Sequence, residues 1–202
     1  MTARIKLLTV ILSSFLIGSG AAYLMRAGGA AGPKTVSTGK ALIGGPFTMV
    51  DHNGKSVTDR DFTGRFALVF FGFTHCPDVC PASLQVTSEA MGQLGPLADK
   101  VSPLFVSVDP VRDTPDVLKT YLANFDSRIT GLTGSETQVQ DIAKTYRVYV
   151  SKGEPDADGY YSVDHSTYMY FMGPNGKYVA HFPYGLEGAA LADRMRSLLK
   201  RG

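Results

Sequence analysis

Apolar residues crowd into an unbroken run at Ala67 to Phe73, ALVFFGF, and elsewhere fall into shorter runs or recur at helical spacing. The run is too short for a buried helix and suits a strand covered on both faces. Leu104 to Val108 predicts a second such strand. Between them, Leu84, Met91 and Leu94 fall on one face of a helix from about Pro81 to Leu94, with proline at a favoured first position. Thr114 as N-cap and Pro115 behind it start another helix. Its stripe is Val117, Leu118, Tyr121, Leu122 and Phe125, which fits a 3.6-residue period. A short strand near Ile129 to Leu132, a helix carrying Val139, Ile142, Ala143 and Tyr146, and an extended piece at Val148 to Ser151 repeat the alternation.

The flanks read differently. Phe47 to Val50 and Lys55 to Val57 enclose Asp51-His52-Asn53-Gly54, and the Asn-Gly pair predicts a β-hairpin. Lys152 to Tyr161 is a polar surface loop. Asp164-His165 leads into a strand at Thr167 to Met172, which turns at Gly173-Pro174-Asn175-Gly176 and returns through Lys177 to Phe182. Leu186 to Lys200 closes the chain as a helix with Leu191, Met195 and Leu198 inward. Strands alternating with helices, then a hairpin and a last helix, predict a three-layer α/β sandwich with a mixed central sheet.

Residues 1–26 are a separate object. Arg4 and Lys6 precede an uncharged, mostly apolar run of nineteen residues, Leu7 to Met25, and Arg26 closes it. At helical rise that run spans roughly 28 Å, close to the hydrocarbon thickness of a bilayer. A single N-terminal transmembrane helix is expected; a cleaved signal peptide is the competing reading, since Gly18 to Ala22 are small. Either way the remainder leaves the cytoplasm. Residues 27–44 read as a flexible linker, and 45–202 as one domain. A net charge of +2 without a dense Lys/Arg cluster gives no ground to expect nucleic acid.

The chain has two cysteines, Cys76 and Cys80, so a disulfide framework for the whole fold is excluded. A local redox pair or a metal site remains. Both lie between the end of the buried strand and the start of a helix, where α/β folds place their chemistry. At helical i and i+4 their β-carbons would stand roughly 5–6 Å apart, near enough to share a metal ion. That is also within adjustment of a disulfide, which needs roughly 3.5–4.5 Å. The helix N-terminus is expected to favour thiolate. His165 enters a late strand that a compact sandwich can bring beside the cysteine loop. Two thiolates and an imidazole form a soft site, favouring Cu(I) with Zn(II) as competitor. Asp164 is the candidate orienter of the imidazole.

The other candidates read as architecture. His75 is expected to aim away from the cysteines, His52 and His181 to be structural or surface residues, and Asp78 to cap the helix. Asp109 to Pro115 reads as a loop with a helix cap, in which Arg112 pairs with Asp109 or Asp113 and braces the cysteine loop.

Three motifs in this order, FFGFTHCPDVCP (Phe70 to Pro81), DPVRDTP (Asp109 to Pro115) and DHSTYMYFMGPNG (Asp164 to Gly176), resemble the Sco/SenC family of copper-binding assembly factors for cytochrome c oxidase. The resemblance covers about Gly45 to Leu199. It implies a thioredoxin-like fold, with Cys76, Cys80 and His165 as ligands of one copper, Cu(I) or Cu(II), per chain. It differs from thioredoxins proper in its CxxxC spacing and in having Asp164-His165-Ser166 where they carry a cis-proline.

The function this implies is that of a copper chaperone tethered to the inner membrane. Its domain would face the periplasm or the mitochondrial intermembrane space and serve the binuclear copper site of oxidase subunit II. The competing classes are a thiol–disulfide oxidoreductase or peroxidase, which needs only Cys76 and Cys80, and a redox sensor built on the same pair.

Overall fold

The computed structural model describes residues 42–200. The expected membrane helix and nearly all of the linker lie outside the described residues. Among the described residues no helix is long and apolar enough to cross a membrane.

The chain opens with the predicted hairpin, β1 (Thr48–Asp51) and β2 (Ser56–Thr58). The Asp51 carboxylate accepts from the backbone N–H groups of Asn53 and Lys55, and Gly54 supplies the left-handed φ of 81° that the turn requires. A 3-10 turn leads into β3 (Phe66–Gly72), in which all seven residues are buried. Helix α1 (Val79–Leu94) starts two residues earlier than the sequence predicts. A second 3-10 turn precedes β4 (Val101–Ser107), then α2 (Pro115–Leu122), β5 (Thr130–Thr133) and α3 (Glu136–Tyr146). Thr114 caps α2 as expected, accepting from the N–H of Val117. Ser135 and Gln138 form a capping box on α3.

Two short strands follow, β6 (Val150–Lys152) and β7 (Val163–His165), then β8 (Met169–Met172), β9 (Tyr178–Phe182) and α4 (Gly188–Leu199). The main sheet runs β2-β1-β5-β4-β3-β8-β9. β3, β4 and β5 are parallel neighbours, and the other pairings are antiparallel, so the sheet is mixed. β6 and β7 pair antiparallel as a separate two-stranded ribbon.

Alternation along β3 divides the core. Phe70 faces Phe105, behind which stands Tyr121 of α2; Phe71 faces the other way, against Tyr146 of α3. Helices therefore cover both faces of the sheet, giving three layers. Phe71, Phe105 and Phe171 are wholly buried, and each contributes about 1.5–3 kcal/mol by leaving water.

Several details depart from the sequence expectation. Val117 is 38% exposed, because α2 turns Leu118 and Leu122 inward instead. In α4 Leu199 is buried where Leu198 was expected. His52 is structural: its Nδ1 accepts from the N–H of Gly131 at 2.9 Å, tying the hairpin turn to β5.

Candidate metal centre

β3 is an interior strand, held in register by β4 on one side and β8 on the other. Its C-terminal end is therefore a fixed point. Beyond it the chain turns through Phe73 to Cys76, the N–H of Cys76 donating to the carbonyl of Phe73 at 3.3 Å. Helix α1 then begins and buries Cys80 completely, while Cys76 stays half-buried. Both thiols are free.

The start of the cysteine loop is held from a distance. Asp113, wholly buried, accepts from the Thr74 backbone N–H at 3.1 Å, from Thr74 Oγ1 at 2.6 Å and from Ser107 Oγ at 2.6 Å. Burial pushes the Asp113 carboxyl above the usual carboxylate range, and those three donors pull it back. Arg112 pairs with Asp109 rather than with Asp113. The two residues thus act separately: Asp113 holds Thr74 by hydrogen bonds, and Arg112, paired with Asp109, stands over the Phe73 ring.

Across the loop, His165 ends β7 and presents Nε2 to the Sγ of Cys80 at 3.6 Å. Its Nδ1 lies 3.0 Å from the carbonyl oxygen of Ser166. That oxygen can only accept, so Nδ1 carries the proton and Nε2 keeps its lone pair, directed at the thiol. Burial holds the imidazole below the ordinary histidine range, so it is neutral at neutral pH. The rings of Phe70 and Phe73 stand edge-on to it at 6.3 and 5.9 Å between centroids. Asp164 is exposed and does not orient the ring; the Ser166 carbonyl does.

Burial also pushes the Cys80 thiol up, opposed by a backbone hydrogen bond at Phe73 and reinforced by the neighbouring Cys76 thiol. Burial thus works against the thiolate expected of Cys80 at a helix N-terminus. Asp78 occupies the N-cap position but makes no side-chain cap bond. His75 is exposed, with Nδ1 3.1 Å from Thr74 Oγ1. His181 sits on β9 against Tyr178 and Tyr168, a surface position.

Of the three candidate ligands, then, Cys80 and His165 are in contact and Cys76 lies beside Cys80. Among the described residues no three His, Cys, Asp or Glu side chains already stand in a metal-holding array. The chemistry of the pair is nonetheless specific: a thiol facing an imidazole nitrogen with a free lone pair, in a mostly apolar setting, suits a soft cation that displaces the thiol proton.

Sequence reasoning missed Gly72, Thr74, Ser107 and Ser166. Gly72 carried a signal, a residue without a side chain near the end of a run of bulky ones. The other three are unremarkable until the chain is folded.

Comparison with known proteins supports the resemblance. The SCO1/SenC family profile matches residues 35–200. The chain is 40% identical over 171 residues to the mitochondrial SCO1 homologue of Mus musculus, covering 82% of this chain and 60% of that protein. It is 37% identical over 179 residues to a SCO2-like protein of Rickettsia prowazekii, covering 86% of this chain and 87% of the relative. The structure of Bradyrhizobium japonicum ScoI with copper bound is similar at a TM-score of 0.71 and 45% identity, over 79% of this chain and 98% of that one. The chain spans only about 60% of the length of the mouse relative. With a matching fold, a profile match over most of the sequence and these identities, the chain belongs to the SCO1/SenC family.

Proposed function

We propose that this protein is a membrane-tethered copper chaperone. It would carry one copper per chain as cargo on Cys76, Cys80 and His165, and help to metallate the binuclear copper site of cytochrome c oxidase subunit II. The observation that carries the reading is the 3.6 Å approach of His165 Nε2 to Cys80 Sγ, with the proton of the ring held at Nδ1 by the Ser166 carbonyl. Two sulfurs and one neutral nitrogen favour Cu(I), with Zn(II) as competitor. Support comes also from the copper-bound relative ScoI, which is 45% identical. Residues 1–26 supply the anchor, placing the domain in the periplasm or in an intermembrane space. A small ligand set on a loop allows cargo to leave by stepwise exchange with an acceptor's own ligands.

The test is anaerobic titration of the reduced full-length chain with Cu(I) against a competing chelator. One equivalent should bind, be lost in Cys76→Ala and Cys80→Ala, and bind much more weakly in His165→Ala. Unchanged affinity and stoichiometry in His165→Ala remove that residue from the site.

A second reading is favoured by the unequal access of the two thiols. Half-buried Cys76 can attack a partner's disulfide, and buried Cys80 can then resolve the mixed disulfide. Two electrons pass to the partner, which leaves with both thiols reduced, while Cys76 and Cys80 become a disulfide. Disulfide or peroxide turnover that survives His165→Ala favours this oxidoreductase reading over the chaperone. Used without turnover, the same oxidation would serve a redox sensor.

A further inference from the structure

Arg112, in the loop between β4 and α2, joins two carboxylate- and ring-bearing neighbours into a closed circuit. Its Nε donates to Asp109 Oδ2, and its Nη1 donates to the carbonyl oxygen of Tyr161 at 3.1 Å. Tyr161 Oη in turn donates to Asp109 Oδ1 at 2.7 Å. The guanidinium carbon stands 3.8 Å from the centroid of the Tyr161 ring and 5.7 Å from that of Phe73. Lys152 of β6 places its Nζ 3.9 Å from the same Tyr161 ring. Nη2 of Arg112 has no acceptor among the described residues, which leaves the ring faces as its partners.

Every arm of this circuit leads toward His165. Tyr161 lies two residues before β7, and His165 ends β7. Phe73 touches Arg112 with its face and stands edge-on to the His165 ring at 5.9 Å. The ribbon of β6 and β7 shares no ladder with the main sheet among the described residues, so its place against the cysteine loop depends on the short links to its neighbours and on side-chain contacts. Filling the space alone would favour an apolar residue, because a buried ion pair loses its hydration. A planar guanidinium adds what an apolar residue lacks: it fixes a carboxylate, a carbonyl and a ring in one geometry.

We propose that Arg112 is a positioning residue for His165, fastening the β6–β7 ribbon through Asp109 and Tyr161 at the spacing that presents the imidazole to Cys80. The proposal rests on the reading of His165 as a copper ligand. It assigns Arg112 no contact with the metal.

The experiment compares Arg112→Gln, Arg112→Lys and Tyr161→Phe in the full-length chain, alone and combined with His165→Ala. The readouts are Cu(I) competition titration and the imidazole-nitrogen hyperfine signal of the Cu(II) form. Arg112→Gln should weaken Cu(I) binding about tenfold, the scale of supporting-residue effects on metal sites, and alter the nitrogen signal. Arg112→Lys should not rescue it, since an ammonium cannot hold carboxylate and carbonyl together while stacking. In the His165→Ala background Arg112→Gln should cost nothing further. Should Arg112→Gln fail to fold, Tyr161→Phe, which removes only the bond to Asp109, should show the same loss of additivity at smaller size. Effects that multiply in the double variants, or an unaltered nitrogen signal in Arg112→Gln, overturn the proposal. If the wild-type protein itself shows no nitrogen signal and His165→Ala binds normally, the reading of His165 fails instead, and the two failures are thereby told apart.

Discussion

Gly72 and Cys80 meet at the end of β3: a β-carbon built on Gly72 would fall 2.8 Å from Cys80 Sγ and 2.7 Å from Cε2 of Phe105. Both neighbours are wholly buried, so neither can shift without disturbing the core. The glycine is there for space, since its backbone lies in an ordinary strand conformation. Gly72→Ala should therefore cost about 1–3 kcal/mol of stability, the usual penalty for overpacking a core, and displace Cys80. Denaturant unfolding measures the first effect and Cu(I) titration the second. A variant as stable as wild type, with unchanged copper affinity, would show that the sulfur can move.

Asp113 holds the cysteine loop with a carboxyl whose burial raises its proton affinity. The sign follows from linkage: an acid with a folded pKa above its unfolded one favours the fold at low pH, and that advantage is lost as pH rises through the folded value. Asp113→Asn abolishes the titration. The stability of wild type relative to Asp113→Asn should therefore decline as pH rises above the ordinary aspartate range. Parallel urea titrations at several pH values give the difference directly, and a flat difference would refute the assignment.

Burial raises the proton affinity of the Cys80 thiol, so a metal bound through its sulfur would have to displace that proton. Affinity for Cu(I) should rise with pH by about tenfold per unit for each proton released. Chelator competition at three or four pH values would measure the slope. A pH-independent affinity would refute the displacement of a thiol proton.

His165 shifts the opposite way, with burial lowering its proton affinity. The unfolded chain then takes up a proton that the folded chain refuses, so the metal-free protein loses stability as pH falls through the ordinary histidine range and down to the folded value. His165→Asn should remove this part of the acid sensitivity. Thermal unfolding of the metal-free protein between neutral and mildly acidic pH tests it.

Much of this arrangement is legible in the chain itself. ALVFFGF announces a doubly covered strand, and both cysteines stand at its exit; Thr114 and Pro115 mark their helix start by local chemistry alone. What stays hidden depends on residues far apart in sequence. Asp113 reaches Thr74 across 39 positions and Cys80 reaches His165 across 85, and no local period encodes either. The ribbon of β6 and β7 is too short to show alternation, so His165 reads as a loop residue although it ends a strand. Asp78 illustrates the converse: its residue type suits a cap, but its side chain makes no such bond.

The separation of Cys80 from His165 also bears on biosynthesis. β3 and the cysteine loop emerge early, whereas His165 and β8, the antiparallel neighbour of β3, emerge late. Until the last third of the domain has been synthesised, the nascent chain exposes two thiols without His165 and with an uncovered strand edge. A soft cation met at that stage would find the cysteines without the imidazole that, in the folded domain, stands 3.6 Å from Cys80 Sγ.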